Sequence, residues 1–265
     1  MSPRYKLLAC EVLKKEVEHL LGVTGAGELF DVEWFEMGLH EKPERLNAAL
    51  KESVAACAGK GYRAVLLLFG LCSRATADLE APSDSILVIP RVHDCVSIFL
   101  GSARRYLDEH AAEAGTYWFS RGFLHRPDGA EPEFSGLGAG VEMTGPDGKR
   151  ASVAAIRASF VEQYGEENAE YLMETLVESW KKNYTRAMHL EWEANPDLDE
   201  DRRYVMQYAS ENEWRYESRP VDLRLIDMLL QGTWPEDEFV VVQPGQRLAA
   251  TNADDALRAD AIHNA

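Results

Sequence analysis

Three of the four cysteines follow short apolar runs: Cys10 in KLLACEVL, Cys72 in AVLLLFGLCS and Cys95 in ILVIPRVHDC. His93 stands two residues before Cys95, and His40 follows another apolar stretch, in MGLHEKPE. If these runs are strands of one open parallel sheet, their carboxyl ends line a common crevice, where ligands of such folds bind. Thiolates and imidazole gathered there can bind a metal or act as nucleophile and base. Zinc takes four such ligands, and a catalytic site keeps one position open. Cys10, Cys72 and Cys95 with His93 or His40 supply a set of that kind. Three thiolates with one other ligand could also hold an iron–sulfur cluster. A metal-free alternative uses Cys95 as nucleophile at a helix start, its thiolate favoured by the helix dipole, with His93 as base. There is no C-x-x-C pair, so the signal lies in the repeated placement at strand ends.

Other polar residues have plainer readings. Cys57 shares a helix face with Leu46, Leu50 and Val54 and reads as core packing. His19, His110, His125, His189 and His263 lack the strand-end placement and read as structural or solvated. Asp94 could orient an imidazole, but capping the following helix is the simpler role. Arg74, Arg91 and Arg121 follow strands at the same edge and could grip a carboxylate or phosphate of a cofactor or substrate; surface ion pairs are the competing use. GLGAG at 136–140 does not follow an apolar strand, as a dinucleotide loop must, and reads as loop or lid. The aromatic residues from Tyr164 to Tyr216 could wall a cleft, but core packing explains most of them.

The elements that must position these groups alternate. Strands are expected at Tyr5–Ala9, 29–37, in RAVLLLFG, in SILVIP and in TYWFSRGF. Helices are expected in LKKEVEHLL, in PERLNAALKESVAACA and across CVSIFLGSARRYLDEH. That alternation predicts an α/β fold, a doubly wound and mostly parallel sheet of about five strands, carried by residues 1–125. Residues 126–150 are rich in Gly, Pro and acids and read as a loop or lid. Residues 151–250 read as a helical cap, with a long helix through EENAEYLMETLVESWKKNYTRAMHLEW, another over 199–217, and a late strand in EFVVVQPG that could return to the sheet. Residues 251–265 read as a frayed tail.

Composition narrows the partners. The chain has 46% hydrophobic and 28% charged residues, as ordinary globular domains do. A net charge of −17 argues against nucleic acid, which needs clustered Lys and Arg. No apolar run reaches the roughly 20 residues of a membrane span, and the N-terminus lacks a secretory pattern. A cytoplasmic location is expected, with free or metal-bound thiols. An apolar helix face could support a homodimer.

ACEVL near the start, GLH after the second strand, FGLC, and IPRVHDCVSIFLGSARRY together resemble the domain of unknown function 1638 family. The resemblance is strongest over residues 1–125, and HDC followed by LGS and RY is its most specific part. It implies an α/β domain with functional Cys and His positions, carried here by Cys10, Cys72, His93 and Cys95. It also implies a link to corrinoid-dependent methyl transfer, with a corrinoid or methyl-transfer protein as partner. The expected function is therefore a zinc-like, metal-dependent transferase of small-molecule or one-carbon metabolism. A ligand-binding accessory protein and a metal-free cysteine enzyme stand as alternatives.

Overall fold

The computed structural model describes residues 4–125, 153–177, 179–251 and 256–262. The Gly/Pro-rich segment 126–150, including GLGAG, and His263 lie outside the described residues. The chain forms two compact units, residues 1–111 with 220–265, and residues 112–219.

The first unit opens with β1 (Arg4–Cys10), α1 (Lys14–Thr24), β2 (Phe30–Phe35), α2 (Pro43–Ala55), β3 (Tyr62–Leu68), β4 (Ile86–Pro90), α3 (Cys95–Phe99) and α4 (Ala103–Ala112). The apolar spacing explains the helices. Leu46, Leu50 and Val54 are buried along one face of α2, with Pro43 at its first turn, where proline's fixed φ is favourable. Residues Ala64–Leu68 of β3 are buried without alternation, as expected for a central strand covered on both faces. The chain continues through β5 (Thr116–Phe119), α5 (Arg121–Leu124), α6 (Val153–Tyr164), α7 (Glu166–Leu172), β6 (Arg186–Glu191), α8 (Leu198–Glu211) and β7 (Arg215–Pro220). It ends with α9 (Arg224–Gln231), β8 (Phe239–Val242), β9 (Gln246–Ala250) and β10 (Leu257–Ala261).

The fold is mixed α/β. The main sheet has five strands in the order β2-β1-β3-β4-β8. The first four run parallel, and β8 pairs antiparallel to β4, Val88 opposite Val241. The late strand therefore does return to the sheet, and it takes the place expected for TYWFSRGF. That segment, β5, instead pairs parallel with β6 in a separate sheet of order β5-β6-β7. The order along the main sheet reverses between β1 and β3, because β2 lies on one side of β1 and β3 on the other.

Three further expectations are corrected. The helix across CVSIFLGSARRYLDEH is broken at Gly101, which has φ +66° and lies so close to Asp222 that a Cβ would sit 2.6 Å from its carboxyl carbon. The second unit is not purely helical. Its expected long helix ends at Leu172, passes through a π turn and a 3₁₀ turn, and gives way to β6, whose residues Arg186–Leu190 are buried. The helix over 199–217 stops at Glu211, and β7 follows. Pairing between distant strands outweighs local helical pattern here. The aromatic residues largely pack as expected: Tyr117, Trp180, Tyr208 and Trp214 form one buried cluster.

The tail is not frayed throughout. Leu257–Ala261 pairs antiparallel with β9, and Leu257 is fully buried in the first unit's core. Leu257→Ala should therefore cost about 2–5 kcal/mol, read from the urea unfolding midpoint. An unchanged midpoint would return this segment to the status of a loose tail.

Candidate functional site

The site begins at the end of β3, in FGLCSR. Gly70 has no room for a side chain: a Cβ there would lie 2.5 Å from Asp94 N and 2.7 Å from His93 C. The close approach is fixed by main-chain hydrogen bonds. Leu71 N donates to Val92 O at 2.9 Å, and Cys72 N donates to His93 O at 2.8 Å. Thr76 Oγ1 adds a bond to Gly70 O at 3.0 Å. The segment after β3 is thereby laced to the segment after β4.

Beyond that lacing the backbone is strained. Cys72, Ser73 and Arg74 have φ of +45°, +55° and +70°, and each non-glycine residue in the left-handed region costs about 1–2 kcal/mol. Such strain persists only where the surroundings over-determine it, and it clusters at functional sites. On the facing segment, Asp94 caps α3 by accepting from Ser97 N at 3.1 Å and Ser97 Oγ at 3.3 Å. The capping role expected for Asp94 is the one observed, and Cys95 is the first residue of the helix.

Cys10 ends β1, the strand beside β3, and all three cysteines are half-buried residues. They are near enough for the charge on one to act on another: Cys10 acts on Cys72, and both act on Cys95. Dense protein around Cys72 pushes its thiol from the ordinary 9.0 up to about 12, helped by the negative charges of Cys10 and Asp94. Burial, then Asp94, Cys10 and Cys72, raise Cys95 well above the ordinary value. The lowering expected for a thiol at a helix start is thus outweighed. Cys57 is buried in the core, as expected, with its thiol against Ser53 O at 3.1 Å.

His93 is half-buried, and its Nδ1 is buried with no hydrogen-bond partner among the described residues. Its ring stacks on Tyr106 at 6.4 Å, and Tyr106 stacks in turn on His110 at 6.2 Å. The Tyr106 hydroxyl bonds the Asp94 carboxylate, and burial together with that carboxylate raises its pKa. Tyr106 is the site residue that the sequence reading missed. It is visible only as part of the motif ARRY, on a helix beyond the Gly101 break.

The remaining candidates divide. His40 lies exposed on a single 3₁₀ turn after β2. Arg74 is exposed on the turn that carries Cys72. Arg91 holds main chain instead: Nε donates to Glu236 O at 2.7 Å and Phe239 O at 3.2 Å, and Nη1 to Leu257 O at 2.5 Å. Arg121 belongs to the second unit, paired with Asp197 at 3.0 Å. Among the described residues, no group of three or more Cys, His, Asp and Glu side chains is arranged so that it could hold a metal ion. No helix among them is long and apolar enough to cross a membrane.

Two predictions follow from this geometry. Gly70→Ala should destabilise the protein by about 1–3 kcal/mol through overpacking, and should change thiol accessibility at Cys72 and Cys95 together, as read by alkylation and mass spectrometry. A variant that is stable and wild-type in labelling would contradict the role of the close approach. The second prediction concerns pH. Because the folded state favours the protonated Cys72 thiol, metal-free protein keeps that contribution below pH 9.0 and loses it progressively towards about pH 12. Cys72→Ser should flatten part of the alkaline fall in melting temperature; parallel profiles would overturn the direction.

No curated protein and no solved structure gave a significant match. The family model described as "Protein of unknown function (DUF1638)" matches residues 34–230. The match reaches well past the first 125 residues, takes in the whole second unit together with Cys72, His93 and Cys95, and begins after Cys10. It covers more than half of the chain, and the chain belongs to this family.

Proposed function

We propose that this member of the DUF1638 family is a metal-dependent enzyme of small-molecule metabolism, in which Cys10, Cys72 and Cys95 hold a zinc-like ion. His93 is either the fourth ligand or a proton-transfer group. One observation carries the reading: three half-buried cysteines at the ends of β1, β3 and β4 lie close enough to act on one another by charge, and burial and that mutual charge favour the protonated form of at least two. The thiolate is the reactive form, so Cys72 and Cys95 are poor nucleophiles near neutral pH by themselves. This weighs against the metal-free cysteine enzyme. A divalent cation reverses the balance, because coordinated thiols lose their protons.

The donor set fits zinc in kind. Thiolates and imidazole are its usual ligands, and the buried Nδ1 of His93 has no hydrogen-bond partner among the described residues. The side chains as they stand do not close around an ion, so binding requires them to rotate inward. A bound zinc ion supplies Lewis acidity and makes a bound water or thiol more acidic. The chain's own residues do the rest. The lacing at Gly70 keeps the Cys72 and His93–Cys95 segments in register. Asp94 holds the start of α3 and the Tyr106 hydroxyl, and Tyr106 supports the His93 ring. Arg74 offers a cation to a substrate carboxylate or phosphate.

The reading puts the site at the switch point of a doubly wound sheet. Through the family resemblance it extends to methyl or one-carbon transfer, with a corrinoid or methyl-transfer protein as partner. The test is elemental analysis of protein purified anaerobically without chelator. Wild type should carry about one equivalent of zinc or a similar ion, as one closed site requires. Cys72→Ser and Cys95→Ser should lose it, and cobalt(II) loading should give thiolate charge-transfer absorption only in wild type. Brown protein with visible absorption would reassign the thiols to an iron–sulfur cluster. Wild type with neither metal would overturn the proposal.

A further inference from the structure

The second unit carries ionisable groups at the carboxyl edge of its own parallel strand pair. Phe119 of β5 lies opposite His189 of β6, so Ser120–Arg121 leave the sheet at the edge where β6 ends in Leu190–Glu191. Ser120 Oγ caps α5 by accepting from Phe123 N at 3.3 Å. The single turn that follows places Arg121 and His125 four residues apart on one face. The start of α8 presents Asp197 and Asp201 at the same spacing, and the two pairs meet rung by rung. Arg121 Nη2 lies 3.0 Å from Asp197 Oδ2, and His125 Nε2 lies 2.6 Å from Asp201 Oδ1.

The second rung is a hydrogen-bonded chain with a buried carboxylate at its centre. The Asp201 side chain is 4% exposed, and its other oxygen accepts from Asn195 Nδ2 at 2.6 Å. A fixed carboxylate on Nε2 favours the tautomer with its proton there and leaves Nδ1 as an acceptor. The His125 side chain remains 43% exposed. Neighbouring charges are matched among themselves: Arg202 pairs with Glu191 at 2.8 Å and with Asp199 at 2.8 Å.

The first rung is incomplete. The Arg121 side chain is 12% exposed, and its Nε and Nη1 are buried without a hydrogen-bond partner among the described residues. A simple pin between α5 and α8 would need only the Asp197 contact, and would not leave buried guanidinium donors unmatched. Unsatisfied buried donors of this kind point to an ion or water that belongs there. Arginine is the side chain best suited to oxyanions.

We propose that this edge is a binding site for the carboxylate or phosphate group of a small metabolite, held by Arg121 beside the hydrogen-bonded chain His125–Asp201–Asn195. The site lies wholly within the second unit and does not depend on a metal at the thiols. Asp197 is the built-in competitor for the guanidinium.

Isothermal titration of the full chain with inorganic phosphate, and separately with acetate, at constant ionic strength in chloride buffer, tests the site. Binding of either anion is expected, and which one binds more tightly distinguishes the two sources. Arg121→Gln should weaken binding about tenfold or more, the loss of a charge-assisted contact. Arg121→Lys, which keeps the charge and so guards against misfolding, should weaken it less. Asp197→Asn should strengthen binding by freeing the guanidinium, an effect that a purely structural pin would not produce. Arg104→Gln, which removes an exposed surface cation paired with Asp108, should bind as wild type does. Absence of binding by either anion, unchanged affinity in folded Arg121→Gln, or an equal loss of binding in Arg104→Gln would overturn the proposal.

Discussion

The thiol cluster depends on one steric constraint, the absence of a side chain at Gly70. Two segments that leave neighbouring parallel strands normally diverge, since each must start its own crossover. Here the backbone at Gly70 comes so close to His93 and Asp94 that only glycine fits, and two main-chain hydrogen bonds lock the contact. Everything chemical about the cluster is a consequence. Cys72 lies two residues beyond the glycine, Cys95 lies one residue beyond Asp94, and the contact draws both toward the end of β1, where Cys10 stands. The left-handed run Cys72–Ser73–Arg74 is tolerable because its two ends are already fixed, by the lacing on one side and by Ala75 N to Cys72 O at 3.0 Å on the other.

The electrostatics then reverse a simple helix-dipole expectation. A cysteine that opens a helix is commonly read as an activated thiolate. Cys95 opens a helix of only five residues, whose dipole effect is confined to a turn. Against it stand dense surrounding protein, the capping carboxylate of Asp94, and two further thiols. Desolvation and like charge both oppose the anion. The same arrangement that weakens the thiols as free nucleophiles makes them responsive to a cation, because a positive ion removes both penalties at once.

Much of this was legible in the sequence, and the exceptions have physical causes. The strand ends carrying Cys10, Cys72 and Cys95 could be read because β1, β3 and β4 are short, apolar and bounded by turns. The capping role of Asp94 followed from local preference alone. That β5 lies outside the main sheet and β8 within it could not be read, since a local pattern marks a strand without naming its partner, and both have the same apolar character. The helix break at Gly101 is packed against Asp222, more than a hundred residues away. Tyr106 was hidden for the same reason: its contacts to His93 and Asp94 exist only because the chain bends at that glycine. Arg91 looked like a ligand-binding residue from its place after β4, but the returning C-terminal strands supply carbonyls that occupy its guanidinium. Non-local partners decided each of these cases.

The two units use one backbone device for different chemistry. In each, parallel strands deliver polar residues to their carboxyl edge, where the chain must turn and side chains can escape the sheet. In the first unit the delivered groups are soft and, at Cys72 and Cys95, held uncharged by burial. In the second they are hard and ionic, with Asp201 buried against His125 and Asn195 and with Arg121 incompletely matched. A soft, desolvated cluster gains most from a metal, and a buried guanidinium with spare donors gains most from an oxyanion. The family match spans both edges, whereas Cys10 lies before it. Within the matched residues the soft donors are Cys72, Cys95 and His93. His93 is then the third donor of the proposed set, and its Nδ1 is among the buried polar atoms without a hydrogen-bond partner among the described residues.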